Sequence, residues 1–111
     1  MAAHLDLSGV TELPSVRRLT ISQATWRGVT ISDTAKKVWL RIESDTGKFS
    51  TAGDGATDGA AVSATADGTV GYGSVDADTW TLIWGASAQY NKRDILIAVD
   101  TQPSTAEIRQ A

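Results

Sequence analysis

Lys37-Val38-Trp39-Leu40-Arg41-Ile42-Glu43 alternates residue by residue between an aliphatic side and a mixed one. Val38, Leu40 and Ile42 fall together; Lys37, Trp39, Arg41 and Glu43 fall opposite. A repeat of two belongs to a β-strand, because a helix would scatter these three aliphatics around its axis. One apolar face and one polar face describe a half-buried antiparallel strand.

The same period extends in both directions. Upstream, Leu19 and Ile21 alternate with Arg18, Thr20 and Ser22, and in Trp26-Arg27-Gly28-Val29-Thr30-Ile31 the aliphatics Val29 and Ile31 share a side. Downstream, Asp45-Thr46-Gly47-Lys48 reads as a hairpin turn into a short strand, Lys48-Phe49-Ser50. Thr79 to Trp84 puts Trp80, Leu82 and Trp84 on one face, which assigns them to the core. Asp94-Ile95-Leu96-Ile97-Ala98-Val99 is apolar on both faces, as a central strand is.

No stretch of ten or more residues carries a helical period; Ser8–Glu12 admits at most one helical turn. Pro14 disfavours helix through Leu13. Between residues 51 and 78 the chain is rich in Gly, Ala, Ser, Thr and Asp and has no Lys or Arg. Weak strands fit there near Ala60–Val62 and Thr69–Tyr72. Short strands with closely spaced turn signals predict an all-β fold, a small antiparallel β-sandwich or jelly-roll-like barrel. The expected organisation is an N-terminal arm over 1–16, a sandwich domain over 17–100, and a C-terminal edge strand or arm over 101–111.

Composition limits function. The 111 residues suit one domain. The net charge of -3 argues against non-specific binding to nucleic acid or anionic membrane, which needs a basic surface. Without cysteine there is no disulfide, no thiol chemistry and no thiolate zinc site. No apolar run approaches the ~20 residues of a membrane span. The sequence from Met1 to Asp6 has no secretory pattern, so synthesis in the cytoplasm is expected.

Catalysis finds few residues to use. His4 is the one histidine, and there is no Gly-x-Ser-x-Gly elbow or phosphate-binding glycine loop. The expectation is therefore no enzyme, no cofactor and no metal. Asp54-Gly55 and Asp58-Gly59, with Asp67, Asp76 and Asp78 beyond, offer oxygen ligands for calcium, but the spacing of a calcium loop is missing and Asp-Gly is common turn chemistry.

Binding finds more. Four tryptophans stand against one phenylalanine. Trp39 lies opposite the aliphatic face of its strand, beside Lys37 and Arg41, so either that face is covered or Trp39 is open for contact. Trp26 is open to both readings. Lys37, Trp39, Arg41, Tyr90 and Ile108 are the interface candidates. An alternative assigns Trp39, with Tyr72 or Tyr90, to sugar stacking.

The segments Trp26–Ile31, Lys37–Ile42, Gly47-Lys48-Phe49 with the Gly/Asp tract, Asp78-Thr79-Trp80 and Ile95–Val99 together resemble the small β-sandwich virion proteins of tailed bacteriophages, over roughly residues 17–100. The resemblance implies a structural role in the particle, foremost as a capsid decoration (cement) protein, otherwise in neck, tail or baseplate. It implies a homo-oligomer, a trimer by analogy, gripping a major capsid or other virion protein, with no catalytic residues and no nucleic-acid or membrane partner.

Overall fold

The structure, a computed structural model, describes residues 5–22, 26–51, 73–85, 93–101 and 103–111. Nine strands run through them: β1 (Leu5–Asp6), β2 (Ser15–Ile21), β3 (Arg27–Thr30), β4 (Lys37–Ile42), β5 (Gly47–Thr51), β6 (Gly73–Val75), β7 (Thr81–Gly85), β8 (Asp94–Val99) and β9 (Ser104–Gln110). They form two sheets, in the orders β1-β3-β8-β5-β6 and β2-β9-β4-β7. Pairing is antiparallel except between β1 and β3. The fold is all-β, a small β-sandwich, with no helix among the described residues.

The alternation in β4 becomes burial. Val38, Leu40 and Ile42 are fully buried, whereas Lys37 is exposed and Trp39 and Arg41 are half-buried. Their aliphatic partners come from both sheets: Ile21, Ile83 and Ile108 from the four-stranded one, Val29, Ile95, Ile97 and Val99 from the five-stranded one. Strand β8 lies at the centre of its sheet, buried from Ile95 to Val99 as its two apolar faces predict.

Several expectations change. Residues 5–16 are not an arm. β1 adds to the edge of β3 through Leu5↔Val29 and Asp6↔Thr30, Leu7 is buried in the core, and β2 already begins at Ser15. Ser8–Glu12 is not helical; the Val10 amide donates to the Leu7 carbonyl (3.1 Å) and the Ser8 amide to Asp6 Oδ1 (2.9 Å). The segment at 101–111 is not an edge strand either, since β9 lies between β2 and β4. Its inward positions are Ala106, Ile108 and Gln110, all fully buried. A small residue and an amide at two of these positions hide the strand's central place from a reading based on apolar content.

The turn after β4 leads out of the sheet. β4 and β5 belong to different sheets, so Ser44 to Gly47 is a bridge across the sandwich and not a hairpin. Ser44 takes the positive φ (56°) that this reversal needs. Gly47 then enters β5 between Val75 and Val99. A Cβ at Gly47 would overlap Ile42 Cδ1 and the Ala98 carbonyl oxygen. The weak strands expected at Ala60–Val62 and Thr69–Tyr72 lie outside the described residues.

Trp80, Leu82 and Trp84 do not share a face. Val38 pairs with Trp84 and Trp39 with Leu82, so Ile83 is an extra residue in β7. Such a bulge breaks the period of two. Ile83 and Trp84 are both buried, and Trp80 and Leu82 turn outward, 41% and 51% exposed.

Gly47→Ala is expected to destabilise the protein by about 1–3 kcal/mol, the usual cost of forcing a methyl into a packed site. The urea midpoint measures it; an unchanged midpoint would show that Ile42 and the Ala98 backbone yield freely.

Candidate protein interaction surface

The two outer faces of the sandwich differ. On the five-stranded sheet, Leu96, Ala98, Ser50 and Gly28 alternate with the core-facing residues, and all are buried. Trp26 is buried as well, which resolves its reading in favour of packing. On the four-stranded sheet the outer face is open. Val16, Trp80 and Leu82 are its large exposed apolar side chains, and among the described residues no other large hydrophobic is as exposed.

Register sets these residues in order. Val16 pairs with Arg109, Arg109 with Trp39, and Trp39 with Leu82, so one row crosses all four strands. Two residues along, Arg18 pairs with Glu107 and Glu107 with Arg41. The first row is apolar and aromatic around Arg109, and the second is charged.

The charged row belongs to one ion-pair network. Arg41 reaches Glu107 Oε1 (2.6 Å), Asp78 Oδ1 (3.2 Å) and Glu43 Oε1 (3.8 Å), and Arg18 binds Glu43 Oε1 (2.8 Å). Asp78 also accepts the Ser44 amide (3.1 Å), tying the network to the bridge between sheets. Arg41, an interface candidate from the sequence, is therefore chiefly an organising cation. Lys37 stays exposed on the same face.

In the apolar row the Arg109 guanidinium lies over the Trp39 ring, 5.1 Å from its centroid. A cation there is held by the ring's negative face. One face of Trp39 is thus occupied, and its half-burial reflects this. A second stack, Arg93 over Trp84 at 5.1 Å, is structural: Arg93 also donates to the carbonyls of Ser32 (2.6 Å) and Ala35 (3.0 Å).

Of the remaining candidates, Ile108 is corrected. It is fully buried between the sheets, so it is core and unavailable to a partner. Tyr90, Tyr72, His4 and the aspartates Asp54, Asp58 and Asp67 lie outside the described residues. Among the described residues no group of three or more His, Asp or Glu side chains is placed to hold a metal ion. A shallow depression of about 330 Å³ is lined by Thr20, Glu43, Ser44, Pro103, Ser104 and Thr105. Its carboxylate, Glu43, is the one paired with Arg18 and Arg41.

Sequence reasoning missed Val16, Trp80, Leu82, Arg109 and Glu107. Val16 was within reach: the inward placing of Leu19 and Ile21 puts Val16 outward once the strand is extended back to Ser15. The bulge that exposes Leu82 left no sequence signal.

A further polar cluster lies where β5, β8 and β9 are connected. Asp45 Oδ1 accepts the Thr46 amide (2.8 Å), and Oδ2 accepts the Thr101 amide (2.8 Å) and Ser104 hydroxyl (2.9 Å). Asp100 accepts from the Lys48 ammonium and the Thr46 hydroxyl. These bonds, the Lys48 one foremost, hold the Asp100 carboxyl below its ordinary 3.8 against the opposing effect of burial.

No family model matches this chain, and no curated protein or solved structure matches it.

Two outcomes are expected. Arg41→Leu leaves Glu107, Glu43 and Asp78 without their common cation and should cost about 1–3 kcal/mol at neutral pH. The urea midpoint at pH 7 measures the loss; an unchanged midpoint would show that the three carboxylates do not depend on Arg41. The Asp100 contribution is present above the unfolded-state pKa and fades as pH falls through the lower folded-state value. Asp100→Asn should therefore destabilise at neutral pH and converge on the parent protein below about pH 4. Parallel stability curves for the two proteins across that window would refute the Lys48–Asp100 link.

Proposed function

We propose that this chain is a non-enzymatic virion structural protein of a tailed phage, a capsid decoration (cement) protein that docks on the major capsid protein through the outer face of its four-stranded sheet. One observation carries the docking part: the centre of one outer face, at Gly28, Ser50, Leu96 and Ala98, is buried, whereas the other face carries Val16, Trp80 and Leu82 exposed around the half-buried Trp39. Exposed apolar groups gathered on one face mark interaction surfaces, and tryptophan is prominent among interface hot spots. The phage setting rests on the sequence resemblance over residues 17–100. A neck, tail or baseplate position would use the same surface.

The chemistry of the face supports binding over catalysis. Glu43, Glu107 and Asp78 are each bound to an arginine, which leaves no poised acid–base pair in the charged row. The same face is less suited to sugar stacking, because Arg109 already covers one side of Trp39. In this reading the protein is made in the host cytoplasm and resides in the virion.

Added to particles that lack it, the purified protein should bind in a fixed ratio and raise their disruption temperature. Val16→Asp, which leaves the core untouched, should weaken that binding tenfold or more, about 1.4 kcal/mol. Particles of unchanged composition and stability after addition would remove the cement role.

A further inference from the structure

The four-stranded sheet ends on two strands of opposite character. β2 carries Arg17 and Arg18 at its centre. The Arg27 side chain also donates to the Thr20 carbonyl (3.2 Å), which occupies part of that edge. Paired against itself about either arginine, β2 would set like charges face to face, a destabilising arrangement. This edge is finished against strand addition.

Among the described residues β7 carries none of these devices. Thr81-Leu82-Ile83-Trp84-Gly85 has no charge and no proline, and Trp80 precedes it. It pairs with β4 alone among the described strands. Leu82 within the strand and Trp80 just before it are exposed apolar side chains at this edge. An uncharged, apolar edge is a template for another strand.

We propose that a second copy of this chain pairs antiparallel along β7, about a two-fold axis at Thr81. This deepens the reading of the chain as an assembly protein and rests on it. The register follows from the side chains. With Thr81 opposite the partner's Thr81, Trp80 lies opposite the partner's Leu82, and Leu82 opposite the partner's Trp80. Each exposed group then packs flank to flank in the aromatic–aliphatic pairs that stabilise sheets, its outer surface staying part of the docking face. The bulge at Ile83 lies outside this short segment. Asp76 and Asp78 fall at opposite ends of the contact from their copies, so no like charges meet. The two four-stranded sheets become one of eight strands, with both apolar rows on the same outer face. A contact this short covers less than the ~800 Å² per partner of a stable interface. The dimer therefore forms at high concentration, or where a particle surface holds two copies side by side.

The absence of cysteine makes a direct test available. Residues directly opposite on antiparallel strands are about 4.5–5.5 Å apart at Cα, within disulfide range. Thr81→Cys should form a disulfide-linked dimer on mild oxidation at least tenfold faster than Arg18→Cys on the opposite edge. Leu82→Cys should match the slow control, since in this register its copy is diagonal and beyond the ~7 Å limit. Adding Leu82→Lys to Thr81→Cys should return cross-linking to the control rate, with circular dichroism confirming that each variant is folded. Equal rates for Thr81→Cys and Arg18→Cys would overturn the dimer, as would a trimer in sedimentation of the parent protein at up to ~1 mM. Faster linking of Leu82→Cys would overturn the register. The two proposals fail separately. Particle binding without a Thr81 cross-link removes the dimer and leaves the docking role, and a cross-link without particle binding does the reverse.

Discussion

A strand with neighbours on both sides must satisfy its backbone donors and acceptors in two directions, and Ser104–Gln110 does this for the four-stranded sheet. It pairs with β2 over seven positions and with β4 over five. Its side chains work in two directions as well. Ala106, Ile108 and Gln110 enter the core, whereas Glu107 and Arg109 organise the outer face through Arg41 and Trp39. Gln110 is a polar group at full burial, and its Oε1 accepts the Ser32 amide (2.7 Å). The next residue is tied too: Ala111 O accepts the amides of Lys36 (2.7 Å) and Lys37 (3.0 Å), and the Ala111 amide donates back to the Lys37 carbonyl (3.0 Å). The core and the outer face of this sheet thus share one strand as their origin.

That sharing explains why the open face is ordered. Arginines gathered on one face would repel if left alone, yet Arg18 and Arg41, one strand apart across β9, are interleaved with Glu43, Glu107 and Asp78. Exposed ion pairs contribute little singly, but a network around a half-buried guanidinium fixes side-chain positions. Arg109 is held by an aromatic ring instead of a carboxylate. The surface offered to a partner is therefore set in place before contact, which lowers the ordering cost of binding.

How much of this is legible in the sequence varies by element. Val38, Leu40 and Ile42 declare their strand because each inward position is aliphatic and each outward one is not. Ile95 to Val99 declare a central strand by being apolar throughout. β9 does not, since Ala106 is small and Gln110 polar; only the partners they meet make those positions core. Trp80, Leu82 and Trp84 mislead because strict alternation presumes an unbroken ladder, and the extra residue Ile83 shifts the register. The same alternation sets Trp39, Lys37 and Arg41 on the outer face. Their neighbours Val16, Leu82 and Arg109 come from distant parts of the chain, and one strand's pattern says nothing of what lies across the sheet. The bridge at Ser44–Gly47 looked like a hairpin because turn chemistry is the same whether the chain returns to its own sheet or crosses to the other.

The order of pairing has a kinetic side. Of the seven strand pairs among the described residues, β5 with β6 is the one between strands consecutive in their order. Every other ladder joins segments with at least one strand between them, and β2 must find β9 across most of the molecule. Closing such loops costs entropy before any contact repays it, so topologies of this kind fold slowly for their size. On a ribosome, β2 and β4 emerge well before the strand that will lie between them. Through that interval their apolar faces and unpaired edges await a partner, and the arginines at the centre of β2 discourage a premature match with another nascent chain.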